Sequence, residues 1–89
     1  MNFTEILKDC EDTWHKQKSL EEQIEKYFEE KIPQSRGKFL SCDVNKTFLR
    51  VKLIIHKGYD KKFLQTLTDI EGNFSVVFDR DILVLDFLY

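Results

Sequence analysis

The apolar positions of this chain change period along its length, and each change marks an element. Phe3, Ile6, Leu7, Cys10 and Trp14 recur at helical spacing, and Asn2 followed by Glu5 has the form of a capping box. Leu20, Ile24, Tyr27 and Phe28 repeat the pattern behind a second such box, Ser19 with Glu22, and the run ends near Ile32 and Pro33. Both boxes can be used only if the chain breaks near Lys18. The rival reading is one continuous helix over residues 3–31, roughly 45 Å long. A domain of this size has a radius of gyration of roughly 12 Å, so the broken form is expected.

Beyond Gly37 the period falls to two. Residues 38–44 alternate, Asn45 and Lys46 make a turn, and residues 47–57 alternate again, which predicts a β-hairpin. In its second strand Leu49, Val51, Leu53 and Ile55 point one way, and Phe48, Arg50, Lys52, Ile54 and His56 point the other. Asp60 reads as the N-cap of a helix bearing Phe63, Leu64, Leu67 and Ile70, closed by Gly72. Residues 74–78 and 82–89 form a second hairpin around Asp79, Arg80 and Asp81. In its last strand Ile82, Val84 and Leu88 share one face with Asp86, while Leu83, Leu85, Phe87 and Tyr89 share the other.

The predicted fold is α+β in a single domain spanning residues 1–89, because 89 residues cannot fill two cores. A helical segment, 1–33, precedes a ββαββ segment, 38–89, giving a four-stranded, mainly antiparallel sheet with helices on one face. Gly37-Lys38-Phe39 and Gly72-Asn73-Phe74 open the two hairpins alike, a loose internal echo. The order is also the one obtained when the first strand of a ferredoxin-like βαββαβ sheet is moved to the end. Strands 47–57 and 82–89 would then be central. The last strand is apolar on both faces, so if helices cover only one, the other needs the N-terminal helix pair or a second copy; a homodimer is expected, with Leu83, Leu85, Phe87 and Tyr89 as candidate self-association residues.

Charge sharpens this picture. Residues 1–35 carry five Lys/Arg against nine Asp/Glu, residues 36–62 eight against two, and residues 63–89 one against five, so the net runs −4, +6, −4 within a total of −2. The middle block puts Phe48, Arg50, Lys52, His56, Lys57, Lys61 and Lys62 on a candidate basic face for a partner or a nucleic acid. Glu21, Glu25 and Glu29 form an acidic ridge at helical spacing; the plain reading is a solvated face, and the sharper one a docking ridge. Against nucleic acid stand the sequence pI of about 5.6 and a single aromatic in the basic stripe.

Catalytic chemistry finds no foothold. Cys10, His15, Cys42 and His56 could be counted as zinc ligands, but there is no CxxC or HxxxH, and Cys10 and His15 diverge by about 140° around a helix. No cofactor or metal is expected, and Trp14 is expected in the core rather than as a ligand platform. Two cysteines suggest reduced thiols in a cytoplasmic protein, no signal peptide is read at the start, and no run is long enough to span a bilayer. The expectation is a small non-enzymatic binding protein acting through protein contacts as a regulator, adaptor or inhibitor, in the general character of phage and mobile-element accessory proteins. The alternative is a nucleic-acid-binding module.

Overall fold

The computed structural model of the chain describes residues 2–56 and 74–89. Two helices, α1 (Phe3–Thr13) and α2 (Gln17–Lys31), precede four strands, β1 (Gly37–Val44), β2 (Phe48–Ile55), β3 (Phe74–Asp79) and β4 (Ile82–Leu88). The fold is α+β, with helices first and an antiparallel sheet after them. The helix expected behind Asp60, with Phe63, Leu64, Leu67, Ile70 and Gly72, lies outside the described residues, and so does the part of the ferredoxin-like order that needs it.

Asn2 starts α1 as its position implies: its Oδ1 accepts the Glu5 N–H at 2.9 Å. The second expected cap is not used. The chain turns at Trp14–Lys16, before Lys18, and α2 begins at Gln17 without a side-chain cap, leaving Ser19 inside its first turn. Tertiary contact places the turn. The Phe3 ring sits 5.1 Å from Tyr27, 5.4 Å from Phe28 and 4.8 Å from Phe87, so the start of α1 must return to the last turns of α2. Gln17 Nε2 donates to the Val44 carbonyl at 3.0 Å and ties the start of α2 to the end of β1. A continuous helix of roughly 45 Å would exceed the longest dimension of the fold, 35 Å. Trp14, expected in the core, stands at the C-cap where the helical stripe stops; it is exposed and packs edge-on to His15.

The strands run β1-β2-β4-β3, antiparallel at every junction, with β2 and β4 central as expected. Leu49, Val51, Leu53 and Ile55 of β2 and Leu83, Leu85 and Phe87 of β4 are buried in one cluster with Phe3, Ile6, Cys10, Leu20, Ile24 and Phe28. Both helices therefore lie on the same face of the sheet. Strand β1 departs from simple alternation: Phe39 pairs with Leu53 and Ser41 with Lys52, leaving Leu40 as an extra residue. That insertion shifts parity so that Phe39, Cys42 and Val44 all turn toward the core. Without it Asp43 would point inward, a buried charge with no compensation. Gly37 opens the strand so close to β2 that an added Cβ would collide with the Ile54 carbonyl oxygen, which leaves no room for any side chain.

The β3–β4 turn has only Arg80 and Asp81 between the paired residues Asp79 and Ile82. Arg80 takes φ 57°, the one positive value at a non-glycine among the described residues. A side-chain-bearing residue there costs about 1–2 kcal/mol. Arg80→Gly should accordingly leave stability unchanged or raise it by up to about 1 kcal/mol, despite the looser unfolded chain; a chemical-denaturation midpoint that falls would refute the turn assignment. Phe3→Ala should lower the unfolding free energy by about 3–5 kcal/mol, measured the same way, because no neighbour can refill the space between α1, α2 and β4.

Candidate interaction surface on the open sheet face

The alternation that buries one face of the sheet displays the other. Strand registers set its residues in rows across β1-β2-β4-β3: Asp43, Arg50, Asp86, Ser75; then Ser41, Lys52, Val84, Val77; then Lys38, Ile54, Ile82, Asp79, with Phe48 beside Leu88 at one end. Leu88 is 62% exposed and Val77 55%, Ile82 is exposed, and Phe48, Ile54 and Val84 are half-buried. Apolar side chains from three strands thus flank a polar centre.

That centre is an ion pair. Arg50 Nε and Nη2 donate to Asp86 Oδ1 and Oδ2 at 2.8 and 3.1 Å, a bidentate grip, while the guanidinium lies 5.5 Å from the Phe48 ring centroid. The Asp86 hydrogen bond and charge, with Asp43 nearby, hold the Arg50 pKa above its ordinary value. Arg50 is thereby held on the exposed face, paired with Asp86 while its side chain stays 43% exposed. Lys52 is exposed, with no partner among the described residues, and His56 is exposed at the strand end. Lys57, Lys61 and Lys62 of the expected basic face lie outside the described residues. On this face Lys38, Arg50 and Lys52 are matched by Asp43, Asp79 and Asp86, so the described part is balanced rather than basic.

The acidic ridge lies on the far side of the sheet. Glu25 and Glu29 are exposed and Glu21 half-buried on α2, beside β1. Glu21 and Glu25 wall a cleft of about 240 Å³ floored by Phe39, Leu40 and Cys42, and Glu29 borders the adjoining one near Gly37 and Lys38. The ridge does not touch Arg50 or Lys52. The expectation that Leu83, Leu85, Phe87 and Tyr89 meet a second copy is corrected: the first three are buried by the chain's own helices and Tyr89 packs against the same cluster. The greasier face of β4 went to the core, and Ile82, Val84 and Leu88 became the displayed one.

Among the described residues no three His, Cys, Asp or Glu side chains gather as a metal cluster would, and no helix is long and apolar enough to cross a membrane. The two thiols are free. Burial pushes the Cys10 thiol up to about 11, and burial with the Glu21 charge pushes Cys42 up to about 12. The buried Tyr89 hydroxyl lies beside Cys10, too loosely for a regular hydrogen bond, and its pKa is raised chiefly by burial. Among the described residues nothing lowers either thiol toward a reactive thiolate. No protein-family model matches the chain, and no curated protein or solved structure is significantly similar to it.

The raised values set an alkaline limit. Below the ordinary thiol value of 9.0 these groups stay protonated folded or unfolded, so their contribution is fully present; above it the unfolded chain releases protons that the folded one holds. The melting temperature should be flat from neutral pH to about 9 and fall between about 9 and 12, as thermal scans would show. Alkylation at mildly alkaline pH should be slow on the folded protein and fast in denaturant.

Proposed function

We propose that this chain is a non-catalytic binding protein that works through protein contacts, as a regulator, adaptor or inhibitor, with the open sheet face as its contact surface. One observation carries this: a fixed, bidentate Arg50–Asp86 pair stands among exposed apolar side chains from three strands. Arg and aromatic anchors amid apolar neighbours are the composition of binding hot spots, and the rigid sheet holds them in place at little ordering cost. Two free cysteines support a reducing, cytoplasmic setting.

A nucleic-acid reading draws support from Arg50 over Phe48 beside Lys52. The three carboxylates sharing that face weigh against it, since phosphate binding draws on an excess of cations.

The test is capture of partners from native extract with the wild-type protein, the Val77→Asp/Leu88→Asp variant and Lys52→Glu. Both altered apolar positions are solvent-exposed, so the fold should survive, which circular dichroism checks. Loss of a specific protein partner in the double variant is the expected result. Retention of every partner by that variant would overturn the surface. Tight single-stranded DNA or RNA binding that is steeply salt-dependent and lost with Lys52→Glu would move the function to the alternative.

A further inference from the structure

Resting on the protein-contact reading, we infer that the occupant of the open sheet face is a second copy of this chain, stacked face to face about a two-fold axis that runs parallel to the strands between β2 and β4. The face is divided by charge. Its β1–β2 half carries Lys38, Arg50 and Lys52 against Asp43, and its β4–β3 half carries Asp79 and Asp86. A surface with one positive and one negative half matches itself only when turned over so that the halves exchange places.

A two-fold along the strands does this. It lays β2 on β4 and β1 on β3 of the other copy, and it leaves position along the strand unchanged, so symmetry itself fixes the register. Each row then meets its own reverse. Phe48 meets Leu88, and Ile54 meets Ile82, apolar on apolar. Arg50 meets the second copy's Asp86 while keeping its own, which makes an alternating square of two guanidiniums and two carboxylates at the centre. Lys38 meets Asp79 at both rims. Lys52 meets Val84, covering it with its aliphatic stem while the ammonium reaches outward.

The competing two-fold, across the strands, sets β2 on β2 and brings the cations of that strand together with no carboxylate strand between them, a like-charge arrangement. Aligned packing of two antiparallel sheets about 10 Å apart is an established way to close such faces. Four strands of about 20 Å present roughly 400 Å² in plan, a small face, so a weak dimer that forms with rising concentration is the form to look for.

The experiment uses the rim pair. Within one chain Lys38 and Asp79 occupy opposite edge strands, three strand spacings or about 14 Å apart, too far to pair. Both are exposed, so charge changes there leave the core intact. Sedimentation of the wild type from about 10 μM to 1 mM should show a monomer–dimer equilibrium. Lys38→Glu alone and Asp79→Lys alone should each weaken it about tenfold or more, because two symmetric pairs become repulsive at once, and the combined variant should recover it. A wild type that stays monomeric throughout, a dimer indifferent to both single changes, or a double variant that does not recover would each overturn the second copy as occupant. A monomeric wild type whose extract partner is still lost with Val77→Asp/Leu88→Asp would sink this inference alone and leave the contact surface standing.

Discussion

The packing of one side chain, Phe3, fixes the relation of the helices to the sheet. Its ring touches Tyr27 and Phe28 at the end of α2 and Phe87 in β4, and Phe28 in turn stacks on Phe39 of β1. Three non-adjacent parts of the chain meet there, so the two helices must fold back on one another and cover the same sheet face. With both helices committed to that face, the other carries no layer among the described residues.

The sheet then acts as a partition. On one side lie the core, the buried Cys10 and half-buried Cys42 thiols and, on the outer surface of α2, the carboxylates of Glu21, Glu25 and Glu29. On the other lie Arg50, Lys52 and the apolar tips of β2, β3 and β4. The alternating charge visible along the chain is thus converted into a helix side and a strand side rather than a single basic patch. Asp86 completes the conversion by reaching across from β4 to hold Arg50, a partner 36 residues away in sequence.

Much of this was legible in the residues. The two helical stripes, both hairpins and the central place of β2 and β4 follow from period and parity, which local sterics dictate. What was hidden depended on tertiary contact. The turn at Trp14–Lys16 overrides the better capping chemistry at Ser19 because Phe3 and Gln17 bind elsewhere. The extra residue at Leu40 answers the cost of burying Asp43, and strict alternation cannot show it. Apolar content alone points to the Leu83, Leu85 and Phe87 side of β4 for self-association, because it marks core as readily as interface; the helices decide which, and they bury that side. The signal that marks the displayed face is the β2–β4 register, which sets Arg50 opposite Asp86.

The irregularity at Leu40 also governs how this protein can aggregate. Strand β1 borders the sheet, and a straight border of spare amides and carbonyls is a template on which further chains could add without end. The extra residue breaks the spacing of those groups midway, and Gln17 already occupies the carbonyl at Val44. Growth by strand addition along that margin is frustrated, so whatever assemblies this chain builds will be finite rather than fibrous there.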